Sequence, residues 1–85
     1  MGEQEIIYHT ADGKLLETSI GNLVLKMNSK LYTPPSQLGL LPGIYRQHLL
    51  ESGQVEEKVL TIEDLKQAEV IYACNAVREL YELKI

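Results

Sequence analysis

The sequence predicts a single mixed α/β domain of the α+β class, in which a β-meander is followed by helix, strand, helix and strand. Three observations predict this fold. Runs of β-branched and aromatic residues, separated by turn residues, fill the first third of the chain. Two segments with helix-start signals then alternate with strand-like segments. The chain has 85 residues, which is enough for one domain with a modest core.

The first third of the chain is typical of a β-meander. Asp12-Gly13 is a strong hairpin signal, and Gly21-Asn22 and Asn28-Ser29 indicate two further turns. Each turn separates two runs with β-strand composition. The predicted strands are, in order, Glu5–Thr10, Lys14–Ile20, Leu23–Met27 and Lys30–Thr33.

A loop and a helix are predicted after the meander. Pro34-Pro35 excludes a regular helix or a central strand, whereas Pro42 suits the first turn of a helix, where a missing N–H costs nothing. The helix is predicted to close at Gly53. Ile44, Tyr45, His48 and Leu49 recur close to the 3.6-residue period of an amphipathic helix.

Strand, helix and strand complete the predicted domain. Val55–Leu60 has a strand-like pattern. A second helix is predicted to start at Thr61, which is a good N-cap, with Asp64 at the capping-box position. The apolar run Val70–Asn75 predicts a buried strand, and residues 76–85 fit either a strand or a helix.

Composition and charge exclude several classes of function. The formal net charge is −4 and the basic residues are scattered, which argues against nucleic acid as a partner. No apolar run is long enough to span a bilayer, and the acidic N-terminus does not resemble a signal peptide. The single cysteine, Cys74, favours a reducing compartment. These observations together lead us to expect a cytoplasmic protein. His9 and His48 lack metal-ligand spacing, so we expect no metal site.

The start of the first predicted helix, in the segment GLLPGIYRQ, is the first candidate for a binding site. The backbone N–H groups and the positive end of the helix dipole favour an anion there, above all a phosphate. Gly43 would allow such a ligand to approach the backbone closely. An ordinary loop-to-helix junction explains the same residues, and on spacing alone it is the commoner explanation.

Two other polar positions are candidates. Glu17 lies in a strand-like run beside Thr18 and Ser19, where its carboxylate could be held as a hydrogen-bond acceptor. A solvated strand carboxylate is the commoner explanation for such a residue. Asn75 ends a buried strand, where α/β folds bind ligands, but turn residues are also common at that position. Together the candidates suggest a phosphate-bearing ligand without naming it.

Three segments, taken in order, resemble the later half of class IV aminotransferases. This group of fold-type IV, pyridoxal-phosphate-dependent enzymes includes branched-chain and D-amino-acid aminotransferases and aminodeoxychorismate lyase. The amino-acid sequences of the second and third segments are most similar to the lyase branch. The resemblance covers about Ile6 to Leu80 and implies that residues 1–85 are one domain, a partial C-terminal domain of such an enzyme. The segments are ETSIGNLVLK, LYTPPSQLGLLPGIYRQHLLE and VEEKVLTIEDLKQAEVIYACNAVREL.

The resemblance implies that pyridoxal phosphate is the cofactor and gives each candidate a role. The glutamate of the family's E-x-S-x-x-N motif pairs with the pyridine nitrogen and keeps it protonated. The N–H groups at the helix start bind the phosphate, residues after the last buried strand make a second phosphate contact, and the motif's asparagine holds a turn. The implied cofactor-binding residues are Glu17, Asn22, Gly43, Ile44, Tyr45, Asn75 and Ala76.

The sequence departs from the family pattern at several positions. The family's Schiff-base lysine lies on a strand that would precede residue 1, and Lys14 is too close to Glu17 to replace it. The smaller N-terminal domain, with its phosphate-binding arginine, would also precede residue 1. Tyr45 stands where threonine is frequent, Gly21 replaces a usual serine or threonine, and Ala76 replaces a usual hydroxyl residue. We expect these changes to weaken cofactor binding without removing the backbone contacts.

The sequence supports two interpretations of function. The resemblance implies the cofactor-holding part of a lyase or transaminase related to p-aminobenzoate and folate synthesis, inactive alone and without a catalytic residue of its own. Such a chain would act with the missing N-terminal half supplied in trans. The alternative is a non-catalytic module that binds a phosphorylated ligand or another subunit. In either case uncovered apolar surface would favour a homo-oligomer.

Overall fold

The structure is a computed structural model that describes residues 6–19, 21–38, 43–75 and 79–83. In this part of the chain, seven strands form one sheet and two α-helices pack on it, which confirms the α+β prediction. The strands are β1 (Ile7–His9), β2 (Leu15–Thr18), β3 (Gly21–Met27), β4 (Lys30–Thr33), β5 (Val55–Glu57), β6 (Val70–Asn75) and β7 (Glu79–Glu82). The helices are α1 (Ile44–Glu51) and α2 (Ile62–Gln67), and a 3₁₀ turn occupies Ser36–Leu38 in the predicted loop.

The strand β3 is the centre of the sheet. Its first residues pair with β2 and its last residues with β4, both antiparallel and along the same edge. Its other edge pairs with β6, which is also antiparallel. The strand β1 continues from β2, β7 continues from β6, and β5 joins β4 in parallel. Every described strand is therefore connected to β3 directly or through one neighbour.

Two of the three predicted turns are confirmed. Gly13 has a φ of 86° and its N–H bonds the carbonyl oxygen of Thr10 in the β1–β2 connection. Asn28 and Ser29 have φ values of 54° and 66°, which is the left-handed pair that a type I′ hairpin requires.

The predicted turn at Gly21-Asn22 is wrong. Both residues belong to β3, where Gly21 pairs with Thr18 and Asn22 with Glu17, so β3 already begins at Gly21. The side chain of Thr18 links β2 to the start of β3, because its Oγ1 donates to the Gly21 carbonyl at 2.8 Å and accepts from the Gly21 N–H at 3.0 Å. Pairing with β6 on the other edge outweighs the local turn preference of a Gly-Asn pair.

The predicted start of α2 and the predicted close of α1 are confirmed, whereas the prediction for Pro42 lies outside the described residues. Thr61 and Asp64 form a reciprocal capping box, in which the Asp64 N–H donates to Thr61 Oγ1 at 3.2 Å and the Thr61 N–H to Asp64 Oδ2 at 2.9 Å. Beyond α1, Gly53 has a φ of 80° and its N–H bonds the Leu50 carbonyl. Among the described residues, no helix has the length and hydrophobicity of a bilayer-spanning segment.

Two apolar clusters lie on opposite faces of the sheet. One packs α2 and its N-terminal flank against Leu23 and Leu25, and the other packs α1 and β5 against Val24 and Cys74. Their buried members are Leu15, Leu23, Leu25 and Leu60 in the first, and Val24, Leu49, Val55 and Cys74 in the second. Side chains alternate between the two faces along β3, so Asn22 lies on the same face as Val24, which is the face that α1 covers.

The residues with helical periodicity in α1 only partly coincide with its buried face. Leu49 is buried and Tyr45 packs on the same cluster, but Ile44 is 82% exposed and His48 is exposed. Arg46 is buried in their place. The helix is rotated so that Arg46 and Leu49, which are three residues apart and share a face, point inward together.

Candidate active site

Glu17 and Asn22 lie opposite each other at the β2–β3 hairpin. They are register partners, and directly opposed residues place their side chains on the same face of a sheet. Asn22 is 6% exposed and both residues have interaction partners within the structure. The hairpin thus brings the candidate carboxylate to the α1 face of β3.

An extra residue in β2 makes this arrangement possible. Ile7 pairs with Thr18 and His9 pairs with Leu15, so a step of two residues along β1 corresponds to a step of three residues along β2. A β-bulge of this kind changes which face the following side chains occupy. In a regular strand Glu17 would share the face of Leu15, which lies in the core cluster beside α2. The shift in register separates the two side chains.

Gly21 allows β6 to lie close to the start of β3. A Cβ atom at this position would lie 2.4 Å from the carbonyl oxygen of Cys74, and only a glycine avoids that contact. The same position is 3.4 Å from the Cβ of Asn75, the last residue of β6. Gly21 is therefore required by packing where the family pattern has serine or threonine, and it brings Asn75 beside the β2–β3 turn.

The N-terminus of α1 meets the same end of β3. Gly43 is the N-cap, with φ −86° and ψ 136°, and a Cβ atom there would lie 2.2 Å from Asn22 Oδ1. Within the described residues no side chain caps this helix, and its first turn contains no acidic residue. The first N–H groups of a helix have no intrahelical partner, so this end retains its preference for an anion.

Ile44 and Tyr45 follow Gly43 as the first residues of α1. The Ile44 side chain is 82% exposed and forms part of the surface at the helix start. The Tyr45 ring lies 5.8 Å from the His48 ring and packs on the α1-side cluster. The backbone N–H groups of both residues belong to the first turn of α1, where a helix supplies no intrahelical partner.

The structure brings six of the seven predicted residues to one end of the sheet, and the seventh lies outside the described part. Asn22 contacts the Gly43 position, pairs with Glu17 and pairs with Cys74, which precedes Asn75. Ile44 and Tyr45 extend from Gly43. Ala76 lies outside the described residues, so its predicted phosphate contact is not placed.

Arg46 is a functional candidate that the sequence reasoning missed. Its side chain is 5% exposed, and its Nη2 donates to the Pro34 carbonyl at 2.9 Å and to Glu57 Oε2 at 2.6 Å. The hydrogen bond from Arg46 holds the pKa of the Glu57 carboxyl below its ordinary value. Glu57 is therefore not part of the purely solvated face that an exposed acidic pair suggests. The sequence contained one signal that Arg46 is buried: it lies three residues before the apolar Leu49 and so shares its face of the helix.

Two other residues with reactive side chains, Cys74 and Lys14, have structural roles. Burial raises the pKa of the Cys74 thiol to about 11, which keeps it neutral in the core. Lys14 pairs with Asp12 at 3.5 Å and forms a β-bridge with Thr61, at the α2 side of the molecule. In the described ranges, no group of His, Cys, Asp or Glu could hold a metal ion.

Comparison with known proteins identifies the family. The family model for amino-transferase class IV matches residues 1–84. The chain belongs to the class IV aminotransferase family. A Schizosaccharomyces pombe protein assigned as an aminodeoxychorismate lyase is 30% identical over 80 residues, which are 91% of this chain and 35% of that protein.

Solved structures of class IV aminotransferases share the fold. An assigned amino-acid aminotransferase from Mesorhizobium loti is 33% identical with a TM-score of 0.87, over 94% of this chain and 39% of that chain. An aminotransferase from Brucella abortus, bound to its cofactor pyridoxal phosphate, is 26% identical with a TM-score of 0.80, over 93% of this chain and 30% of that chain. The chain spans about a third of the length of the curated relatives it matches.

The residues of this class IV chain fit the family's cofactor. A phosphate suits the α1 N-terminus, because that helix start has no acidic residue and no side-chain cap within the described residues. A protonated ring nitrogen suits the Glu17 carboxylate, which is held opposite Asn22 on the same face. The prediction of a pyridoxal-phosphate-dependent family is therefore confirmed, while the role of each residue remains a prediction.

Proposed function

We propose that this chain forms the side of a class IV active site that binds the phosphate and the pyridine nitrogen of pyridoxal phosphate. The observation that carries the proposal is the position of Asn22. Its side chain lies against the Gly43 N-cap, and its backbone pairs with Glu17 on one side and Cys74 on the other. One residue therefore joins a helix N-terminus, a carboxylate and the end of β6.

The phosphate would be bound by backbone groups. The N–H groups of Ile44 and Tyr45 are at the positive end of α1 and would donate to phosphate oxygens. Asn75 and Ala76 would make the second contact proposed from the family pattern. Tyr45 stands in place of the frequent threonine, so a hydroxyl contact to the phosphate would be lost and the site weakened. The backbone donors do not depend on side-chain identity, so the site would not be removed.

Glu17 would act on the ring. Pyridoxal phosphate, when bound, supplies an electron sink for negative charge formed on the substrate. The Glu17 carboxylate would hold a proton at the pyridine nitrogen, and a buried neighbour such as Asn22 would keep that carboxylate in one orientation. This division leaves the proton transfers at the substrate to residues outside the proposed site.

We place the Schiff-base lysine in residues that correspond to the rest of the relatives' length, either in the same polypeptide or in a separate one. We infer that Lys14 does not serve this role, because its side chain pairs with Asp12 at 3.5 Å and its backbone bridges Thr61, the N-cap of α2. Residues 1–85 alone would then be inactive. The complete site would carry out a lyase or transaminase reaction of the aminodeoxychorismate type, in cytoplasmic p-aminobenzoate and folate synthesis, with a homo-oligomer or an N-terminal part in trans as the partner.

Amide NMR with matched ligands tests the proposal. Pyridoxal phosphate and inorganic phosphate should both shift the amides of Gly43–Arg46 and of Asn75, whereas pyridoxal, which lacks the phosphate, should shift them much less. Borohydride reduction followed by mass spectrometry should find no specific lysine adduct. A specific adduct lost in Lys14→Ala would contradict the lysine assignment. Equal shifts with pyridoxal would contradict the phosphate site, and phosphate binding without ring binding would favour the non-catalytic alternative.

A further inference from the structure

Arg46 connects the start of α1 to two other parts of the chain. One nitrogen, Nη2, donates both to the Pro34 carbonyl at 2.9 Å and to Glu57 Oε2 at 2.6 Å. Pro34 directly follows β4, and Glu57 is the last residue of β5. The same Glu57 oxygen also accepts from the Ser36 N–H at 3.4 Å. A single side chain therefore fastens the first turn of the helix to the ends of two strands.

The position is an unfavourable one for a cation. Arg46 is the third residue of α1, where the positive end of the helix dipole repels positive charge. Its side chain is 5% exposed, and its Nε has no hydrogen-bond partner among the described residues. Replacing a buried, paired charge with an apolar residue of similar volume is often neutral or stabilising. Stability alone therefore does not account for an arginine here.

We propose that Arg46 is a positioning residue, which fixes the first turn of α1 so that the N–H groups of Ile44 and Tyr45 keep one direction. The inference rests on the proposed function, because those N–H groups are the proposed phosphate donors. Donors that are already fixed before the ligand arrives bind it more tightly, since no ordering cost remains. Glu57 and the Pro34 carbonyl are the fixed points against which Arg46 holds the helix.

The substitution Glu57→Gln separates positioning from simple electrostatics. If Glu57 acted only through its charge, removing that charge near a proposed anion site would tighten phosphate binding. If it anchors Arg46, removing the charge-assisted bond would loosen the first turn and weaken phosphate binding by about fivefold. The control is Glu56→Gln, which removes the neighbouring exposed carboxylate of β5 and changes the net charge equally.

The measurement is the inorganic phosphate affinity from amide shifts of Ile44 and Tyr45, in the wild-type chain and in both variants. We expect weaker binding in Glu57→Gln and wild-type or slightly tighter binding in Glu56→Gln. Glu57→Asp keeps the charge but shortens the side chain, so it should also weaken binding, and it replaces Glu57→Gln if that variant fails to fold. Tighter or unchanged binding in the Glu57 variants would overturn the proposal.

A measurement without ligand keeps the inference distinct from the proposed function. The Gln47 N–H donates to the Gly43 carbonyl at 3.0 Å and closes the first turn of α1. Its hydrogen exchange should be faster in Glu57→Gln than in Glu56→Gln, with similar exchange in β3 in both. Equal exchange would overturn the role of Arg46. If the wild-type chain showed no phosphate shifts, the proposed function would fail, and the Gln47 exchange would still decide whether Arg46 fixes the helix start.

Discussion

The side-chain oxygen of Asn22 lies where a side chain at Gly43 would begin. A Cβ atom on Gly43 would be 2.2 Å from Asn22 Oδ1 and 3.3 Å from its Cγ. The backbone of Gly43 has φ −86°, which any residue can adopt. The glycine is therefore required by its neighbour rather than by its own conformation, and this contact sets how closely α1 approaches β3.

The substitution Gly43→Ala should push α1 away from Asn22. The added methyl group collides with a buried amide, so we expect a loss of about 1–3 kcal/mol in the free energy of unfolding, together with weaker phosphate binding. Urea unfolding and phosphate titration measure the two effects. The control is Gly43→Ala combined with Asn22→Ala, in which the collision is removed. If the double variant were destabilised by the sum of the single changes, the contact would not be the cause.

Gly21→Ala should be more damaging, because its added methyl group would meet backbone. The contact is with the Cys74 carbonyl oxygen at 2.4 Å, and a backbone atom cannot rotate away as a side chain can. We expect a loss of more than about 2 kcal/mol, measured by urea unfolding. Gly53→Ala is the matched control, since Gly53 has a φ of 80° but no atom within 4 Å of its Cβ position. A larger loss at Gly53 would show that backbone conformation outweighs close packing here.

The Arg46–Glu57 pair should make stability depend on pH. Arg46 lowers the pKa of Glu57 from its ordinary 4.5, so the pair's contribution is complete above that value and is lost as pH falls through the folded-state pKa. Glu57→Gln should therefore be less stable than wild type at neutral pH, and the difference in the free energy of unfolding should shrink at an acidic pH below 4.5. The Glu57 side chain is 41% exposed, so solvent limits the size of the effect. The same difference at both pH values would show that charge is not involved.

Cys74 should resist alkylation in the native state. Burial raises its thiol pKa to about 11, and the residue is fully buried. The reactive thiolate is therefore scarce and shielded. Iodoacetamide at about pH 8 should modify the folded chain slowly and the urea-unfolded chain rapidly, as mass spectrometry would show. Comparable rates in both states would mean that β6 separates from β3 frequently in the native protein.

Local signals in the sequence predicted most elements of the fold. Asp12-Gly13, Asn28-Ser29 and the Thr61–Asp64 capping box each depend on interactions within a few residues, and each lies where the sequence indicated. Gly21-Asn22 carries an equally strong turn signal, yet it lies in β3 because β6, far away in sequence, pairs with it. Residues 79–82 became a strand for the same reason, by pairing with β6.

The site could be predicted in part from order along the chain, but not from local pattern. Glu17, Gly43 and Asn75 each had an ordinary explanation, and only their order, through the family resemblance, selected the functional one. Arg46 could not be found in this way, because its partner Glu57 is eleven residues away and reads as a solvated residue beside Glu56. The register shift in β2 was also hidden, since a bulge is a property of a strand pair and not of one strand.

The central place of β3 has a consequence for how the site and the fold depend on each other. Asn22 belongs to the strand that pairs with β2, β4 and β6, so its surroundings can open only when the core opens. A ligand at this end would then raise the unfolding midpoint of the whole chain by mass action. A core change such as Val24→Ala would lower occupancy without touching the ligand. Binding and folding of this chain therefore depend on the same residues.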